Sequence, residues 1–426
     1  MGKEAGIITV ALDTLGCKLN QAETELLAEK LCRLECRRVS SAAEADIYIL
    51  NTCTVTHIAD RKSRHLLRMA HRRNPDAVIV AIGCYAQRAG RELSRLDGVS
   101  LVLDNKAKMY LPKLLEESGY LKRTGGREPK ESYNDGFRSR TFIRVQDGCN
   151  SFCAYCIVPL VRGRERSLAA ESIVSEIREK VDGGYKEAVL TGTEIGAYHC
   201  DGLNLEGLIQ QIISRTDVVR LRLSSLQPGE INPGLIDLWH NPRLCSHFHL
   251  SLQSGSDGVL KRMGRRYSTK DYLEAVSLIR SEVPDVAITT DVIVGFPGES
   301  DKEFEESYGF CQKMGFARIH VFPYSPRPGT EAAGMEGQVN AVVKRERRQK
   351  MLALAEESAV NFRQRFIGRT MPVLWEQKTG STWSGLTGNY IRVYTKSSED
   401  LTNEIKEVKL EKLYRDGVWV NINPRR

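Results

Sequence analysis

Short apolar runs alternate with amphipathic stretches along most of the chain. GIITVAL, DIYIL, AVIVAI and SLVL are too short for helices and read as buried strands. Between them, NQAETELLAEKLCRL and the stretch from Thr54 to Arg73 carry apolar residues at helical spacing. Such alternation predicts an open parallel sheet with helices on both faces, an α/β domain over residues 1–120. The polar, Gly- and Pro-containing stretch KRTGGREPKESYNDGFRSR predicts a linker over 121–140. The alternation resumes over 141–335 with six strand candidates: TFIRV, EAVLT, VRLRLS, HFHLSL, AITTDVI and RIHVFP. Helical patterns such as LAAESIVSEIREKV and TKDYLEAVSLIRSE separate them, so six βα units predict a partial parallel barrel. A basic connecting helix, KRERRQKMLALAEESAVNFRQRF, falls within 336–367. VLWE, TWSGLTGNYIRVYT, EIKEVKLEKLY and GVWVNI then predict a small all-β barrel over 368–426.

Composition narrows the class. At 426 residues the chain has room for two or three domains, and 41% hydrophobic with 27% charged residues is ordinary for globular proteins. No run approaches the roughly 18 apolar residues that cross a bilayer. MGKEAGIITVALDTLGC lacks the apolar core of a secretion signal, so the expectation is a cytoplasmic protein with no membrane partner. The net charge of +8 permits a polyanionic partner without demonstrating one. Eleven cysteines, an odd number without a secretion signal, argue against a disulfide framework and toward metal or catalysis where they cluster.

The tightest cluster is QDGCNSFCAYCIVP, which places Cys149, Cys153 and Cys156 at C-x3-C-x2-C spacing after the first barrel strand. Thiolates so close on one loop can converge on a single metal centre. A structural zinc site wants four closed ligands, whereas three thiolates on a 4Fe-4S cluster leave one iron open. A zinc knuckle is the bland alternative. The spacing, with Tyr155 before the last cysteine, resembles the signature of radical S-adenosylmethionine (SAM) enzymes, in which the open iron binds SAM.

Parallel barrels gather chemistry at the carboxyl ends of their strands. There lie Gly192-Thr193-Glu194, Ser224 and Ser225, Gln253 to Gly255, the segment Asp291 to Glu299 with Gly295, and Pro323 to Gly329. Each alone is weak, since a glycine at a strand end is more often a turn; on one rim they are what a SAM pocket would need, a role that the resemblance implies and spacing alone does not show. Cys17, Cys53 and Cys84 each follow a strand of the first domain, and adjacent strand ends meet at one crevice. They can hold a second cluster there, or simply pack as buried thiols.

TLGCKLNQAETE, NTCTVT and GCYAQ, followed by CNSFCAYCIVPLVRGRERS and a small C-terminal β module, resemble the radical SAM methylthiotransferases over nearly the whole chain. The resemblance implies an auxiliary 4Fe-4S cluster on Cys17, Cys53 and Cys84, a radical 4Fe-4S cluster on Cys149, Cys153 and Cys156, and a TRAM-like RNA-binding module. It implies SAM contacts from Tyr155, Gly192, Thr193, Glu194, Ser224, Gln253, Asp291 and Gly295. Lys18 and Gln21 in GCKLNQAETE favour the enzymes acting on N6-threonylcarbamoyladenosine in tRNA. The isopentenyladenosine enzymes read GCQMN there, and those modifying a ribosomal-protein aspartate read GCPKN. The implied reaction adds a methylthio group to C2 of the base at position 37, in the anticodon stem-loop. It uses two SAM, a flavodoxin or ferredoxin-like electron donor and a sulfur source. One departure is Leu168, where the family has Arg after the serine of RGRERS; Arg162, Arg164 and Arg166 are the candidate substitutes. A non-catalytic iron–sulfur RNA-binding protein is the reading from another class.

For RNA, the helix RKSRHLLRMAHRR offers Arg61, Lys62 and Arg64 with no acid, though a solvated face explains it as well. The C-terminal module offers Trp383, Tyr390, Tyr394 and Trp419 near Arg392, Lys396 and Arg415 for stacking, while at least half of those aromatics must fill its core. Cys32, Cys36, Cys200, Cys245 and Cys311 read as packing residues, and His57, His247 and His249 receive no role.

Overall fold

The computed structural model describes residues 7–121 and 139–422, so most of the expected linker lies outside the described residues. The first domain is a five-stranded, wholly parallel sheet. In spatial order its strands are Arg37–Arg38, Thr9–Thr14, Ile47–Thr52, Val78–Gly83 and Val99–Leu103. Four are the predicted apolar runs; the edge strand Arg37–Arg38 is two charged residues long and carries no apolar signal. Ile47–Thr52 is central and buried along its whole length, which is why its sequence does not alternate. Helices Lys18–Cys32, His57–Arg73 and Cys84–Leu93 make the crossovers. Each begins within a few residues of a strand end, so the first residues of three helices crowd the carboxyl edge of the sheet.

Six parallel strands form the second unit: Arg140–Arg144, Glu187–Thr191, Arg220–Leu226, His247–Leu250, Ala287–Val294 and Arg318–Pro323. The third is interrupted at Ser224, so its first half pairs with the second strand and its second half with the fourth. Among the described residues the first and sixth strands do not pair with each other, which leaves a partial barrel with an open side. Helix Lys18–Cys32 of the first domain packs beside the first strand, and helix Ala341–Gln364 packs beside the sixth.

The C-terminal unit is a six-stranded sheet in the order Ile405–Lys409, Thr370–Thr379, Thr382–Thr387, Arg392–Thr395, Gly417–Trp419, Lys412–Tyr414. Its two edge strands are consecutive in the chain, joined through Leu410 and Glu411, so the sheet must roll toward closure. Trp375 and Trp383 fill its core with Val373, Val393, Leu401 and Val418.

This unit seals the amino-terminal end of the barrel. Arg220 donates to the Leu386 and Pro372 carbonyls at 2.9 and 2.8 Å, and Arg222 donates to the Gly388 carbonyl at 2.9 Å. Arg222 also pairs with Glu187 at 2.7 Å, both side chains fully buried. Burial works against the Glu187 carboxylate, but Arg222, Arg140 and Arg220 together hold its pKa down. Removing one partner of such a pair leaves a buried charge uncompensated. Arg222→Ala is expected to cost about 3–5 kcal/mol, read as a lower thermal midpoint; an unchanged midpoint would mean that the floor of the barrel is not held this way.

Candidate active site

The two cysteine groups are built by different local devices. In the first domain, glycines bring the thiols to the sheet edge. Gly16 has φ +102°, and a Cβ there would lie 2.8 Å from Cβ and 2.9 Å from Sγ of Cys53. Gly83 has φ +95°, and its Cβ would meet the Asn51 side-chain oxygen at 2.3 Å. Each position needs the left-handed freedom of glycine and the space a side chain would occupy. Cys17 then caps helix Lys18–Cys32, and Cys84 is the first residue of helix Cys84–Leu93. Cys17, Cys53 and Cys84 lie close enough to raise one another's ionisation cost: Cys84 acts on both others, and Cys17 on Cys53. Burial pushes the Cys53 thiol up to about 12, and raises Cys17 despite the cation of Arg162.

The second group lies on a loop fastened at both ends. Cys156 N–H donates to the Cys153 carbonyl at 2.9 Å, which folds the C-x2-C into a turn. Gln146, fully buried, accepts from the Thr193 and Glu194 amides at 3.0 Å each and donates to the Gly148 carbonyl at 2.8 Å. One amide side chain thereby ties the cysteine loop to the Gly192-Thr193-Glu194 turn. Glu194 accepts from the Cys149 thiol at 2.9 Å and from the Ser151 hydroxyl at 3.0 Å, and Gln227 also donates to it. Arg265 donates to Cys153 Sγ at 3.1 Å and to Gln227 Oε1 at 2.9 Å. Cys149 and Cys156 are each pushed up to about 12, chiefly by burial. Thiols this reluctant to ionise become good ligands only when a metal displaces the proton.

A buried network joins the two groups. Glu23, on helix Lys18–Cys32, pairs with Lys108 at 2.6 Å and Arg162 at 3.1 Å, and all three side chains are at most 3% exposed. Arg162 also pairs with Asp147 at 2.8 Å, two residues before Cys149, and donates to Asn20 at 2.5 Å. Cys84 packs against Ile157 and Val161, directly after the second cysteine loop. Asn105 donates to Cys84 Sγ at 3.7 Å and to the Val161 carbonyl at 2.8 Å. A second contact crosses the same seam: Arg327, beyond the sixth barrel strand, pairs with Asp60 at 2.6 Å and donates to Thr54 at 2.8 Å, beside Cys53. These contacts set Cys84 of the first group against the segment that directly follows the second cysteine loop.

The surroundings of the second cysteine loop are polar and charged. Glu194 offers a carboxylate to an ammonium, and Arg265 offers a cation. Thr193 Oγ1, Ser224 Oγ and Asn150 Oδ1 are buried without any protein partner, the condition of polar atoms awaiting a ligand. Tyr155 is enclosed and meets Phe296 edge-on at 6.5 Å. Gln253 adopts φ +68° and exchanges backbone hydrogen bonds with Asp291 and Ile293. Asp291 faces the barrel interior with its carboxylate 3.3 Å from His249 Nε2; burial opposes its charge, but His249 prevails and keeps the pKa low. Gly295 is engaged elsewhere: its N–H donates to Glu299 at 2.6 Å and Lys344 covers its Cα.

Profile comparison matches residues 143–311 to the radical SAM superfamily and residues 9–104 to "Uncharacterized protein family UPF0004". The chain is 37% identical to a threonylcarbamoyladenosine tRNA methylthiotransferase of Bacillus subtilis, covering 97% of both chains. It is 39% identical to one of Aquifex aeolicus, over 90% of this chain and 96% of that one. The chain belongs to the radical SAM methylthiotransferases. It is also 35% identical to a tRNA-2-methylthio-N(6)-dimethylallyladenosine synthase of Bacillus mycoides, over 93% of this chain and 82% of that one. Among solved structures, the radical SAM methyltransferase TsrM of Kitasatospora setae shares the fold, with a TM-score of 0.56 at 15% identity over 77% of each chain. SAM and 4Fe-4S clusters are the cofactors of this family.

Some expectations are corrected by the geometry. Trp383 is 4% exposed inside the C-terminal core and cannot stack a base. Tyr390 is wedged under the barrel, its ring stacked on His247 at 4.6 Å and covered by Arg222 at 4.4 Å. The aromatic groups left near the outer surface of that unit are Tyr414 and Trp419, in edge-on contact at 5.1 Å, with Arg415 over Tyr414. Arg392, 41% exposed, faces Asp416 at 3.4 Å. On helix His57–Arg73, Arg61 and Lys62 are exposed, whereas Arg64 is drawn back to Tyr85 and Glu92. Of the substitutes for the arginine absent at Leu168, Arg162 is committed to Glu23 and Asp147, Arg164 lies over the Phe152 ring at 4.3 Å, and Arg166 is exposed. Leu168 itself packs against the barrel core. Gln146, Gln227, Arg265, Glu23 and Lys108 were not singled out in the sequence.

Burial opposes the Glu23 charge, yet Arg162 and Lys108 hold its pKa down to about 2. This stabilisation is whole above pH 4.5 and is lost as the pH falls toward 2. Glu23→Gln is expected to lower stability by roughly 3–5 kcal/mol at pH 7, and its deficit against the wild type should shrink on acidification from pH 5 to 3. Thermal midpoints across that range check it; a deficit independent of pH would show that the charge of Glu23 is not what matters.

Proposed function

We propose that this protein methylthiolates C2 of N6-threonylcarbamoyladenosine at position 37 of tRNA, next to the anticodon, using two SAM molecules. The observation that carries this reading is the packing of Cys84 on the segment after the second cysteine loop, beside the Glu23–Arg162 seam, in a chain whose relatives bear that activity in their names. Cys149, Cys153 and Cys156 would hold the radical cluster, and Cys17, Cys53 and Cys84 the auxiliary one. When bound, the clusters supply the low-potential electron and the sulfur chemistry that side chains lack.

The chain's own groups do the remaining work. Glu194, backed by Ser151 and Gln227, would receive the SAM ammonium, and Thr193 and Ser224 would complete its hydrogen bonds. Tyr155, Gln253 and Asp291 line the same interior. Arg265 would balance thiolate charge at Cys153. Closure of the first domain over the substrate would exclude water and protect reactive species. The exposed cations Arg61 and Lys62, with Arg392, would meet the phosphates of the anticodon stem-loop. A flavodoxin or ferredoxin-like protein would deliver electrons, and a separate sulfur source would replenish what each turnover consumes. No described helix is long and apolar enough to cross a membrane, and the site of action in this reading is the cytoplasm.

Cysteine replacement separates the two triads. Ala at Cys149, Cys153 or Cys156 is expected to abolish reductive formation of 5′-deoxyadenosine from SAM. Ala at Cys17, Cys53 or Cys84 should leave that reaction in place and stop methylthio insertion, as seen by mass spectrometry of digested stem-loop RNA. Anaerobically loaded wild type should carry about eight irons per chain, and each triad variant about four. Sulfur insertion by a Cys53→Ala variant would refute the two-cluster assignment.

A further inference from the structure

Lys18 follows Cys17 directly, yet its side chain does not point to solvent. It runs into the barrel interior, and its Nζ lies 5.9 Å from the centre of the Tyr390 ring at the barrel floor. The same ring carries Arg222 at 4.4 Å and Arg140 at 5.8 Å, and stacks on His247. Asp291, His249 and His320 line the wall, with His249 and His320 ring centres 5.9 Å apart. Lys18 and His247 meet the same Tyr390 ring, which places the ammonium at this end of the chamber. A cavity of about 380 Å³ shares Thr289, His320 and Tyr390 with this chamber.

Every carboxylate facing the chamber already has a partner. Glu187 is paired with Arg222, and Asp291 with His249. Arg140 is in turn paired with Glu376. Among the described residues Lys18 Nζ has no ion pair and no hydrogen bond; it lies over the face of Tyr390. A half-buried cation without a counter-charge is unfavourable unless a ligand completes it. The surrounding groups include more cations than free anions, so the complement is an anion.

We propose that Lys18 is the specificity residue for the N6 substituent of the target adenosine, its ammonium pairing with a carboxylate at the end of that substituent. The inference rests on the tRNA reading above and adds to it a chemical class: an adenosine whose N6 group is acidic. Threonylcarbamoyl ends in a carboxylate, whereas a dimethylallyl group is wholly apolar and would leave Lys18 unpaired. A site built around a buried charge rejects a ligand that lacks the counter-charge far more strongly than an apolar pocket rejects an extra group. Lys18 is placed to do this because it sits between the first triad, where the base must react, and the floor, where the substituent must end.

The test uses cluster-loaded full-length protein and three anticodon stem-loop RNAs. Position 37 carries threonylcarbamoyladenosine, its methyl ester, or dimethylallyladenosine. Kd is measured by fluorescence anisotropy, and kcat and KM by mass spectrometry of the methylthiolated nucleoside. Iron content and the electron paramagnetic resonance signal of each variant control for damage beside Cys17. Wild type is expected to bind the free acid roughly a hundredfold more tightly than the ester. Lys18→Met should abolish that preference, through weaker binding of the acid and a raised KM, and Lys18→Arg should restore part of it. A fully loaded Lys18→Met that still prefers the acid as wild type does, or a wild type indifferent to the ester, would overturn the proposal. The tRNA reading fails separately, if wild type methylthiolates none of the three RNAs.

Discussion

The structure depends on a buried charge cluster that has no counterpart in either domain alone. Glu23 comes from the first helix, Lys108 from the end of the first domain, and Arg162 and Asp147 from either side of the second cysteine loop. Each of these groups costs several kcal/mol to desolvate; Glu23–Lys108 and Arg162–Asp147 pair within their own domains, and Arg162–Glu23 joins the two pairs across the seam. The cluster therefore acts as a key: the first domain docks on the barrel in the one pose that pairs them. A hydrophobic seam of equal area would hold as firmly but would permit sliding, and sliding would change the separation of the two cysteine groups. Cys84 packed on Ile157 and Val161 is the consequence, because the same helix that carries Arg162 also forms the wall against Cys84.

The seam also explains a departure from the family pattern. Leu168 stands where relatives are expected to carry arginine, and Arg162 was one of three candidate substitutes, with Arg164 and Arg166. The geometry leaves Arg162 no freedom, since its guanidinium serves Glu23, Asp147 and Asn20 at once. The cation beside the cysteine loop is instead Arg265, delivered from a turn after the fourth barrel strand and held by Gln227 and Tyr267. Sequence spacing could not find it, because Arg265 lies 112 positions from the thiol it serves and sits in no motif.

What was legible in the sequence was what repeats with a period or falls at a strand end. The six barrel strands and four of the five strands of the first domain follow from apolar runs, and the six clustered cysteines from their position after strands. The edge strand Arg37–Arg38 was missed because two charged residues at a sheet edge bury nothing. The aromatic residues of the C-terminal unit misled for the opposite reason. Trp383 and Tyr390 look like stacking groups in a small basic module, but a domain of that size needs its large side chains for its core and for its interface. Tyr390 in particular follows Asn389 at φ +68°, a turn conformation that aims it at the barrel rather than at solvent. Gln146 was invisible since a lone glutamine carries no pattern, although it is fully buried and binds three backbone groups on two loops.

The floor of the barrel makes the C-terminal unit more than an RNA-binding appendage. An incomplete barrel closed only by its own strands would be open below as well as at the side, and water would reach the interior from both. Arg220 and Arg222 reach out of the barrel to accepting carbonyls of the β unit, while Tyr390 reaches in. Helix Lys18–Cys32 stands beside the first strand and delivers Lys18 to the same interior. The chamber thus has walls from the barrel, a floor from the third domain and a side chain from the first. No domain by itself could set both the depth of that space and its charge, so selectivity for what enters it is a property of the assembled chain.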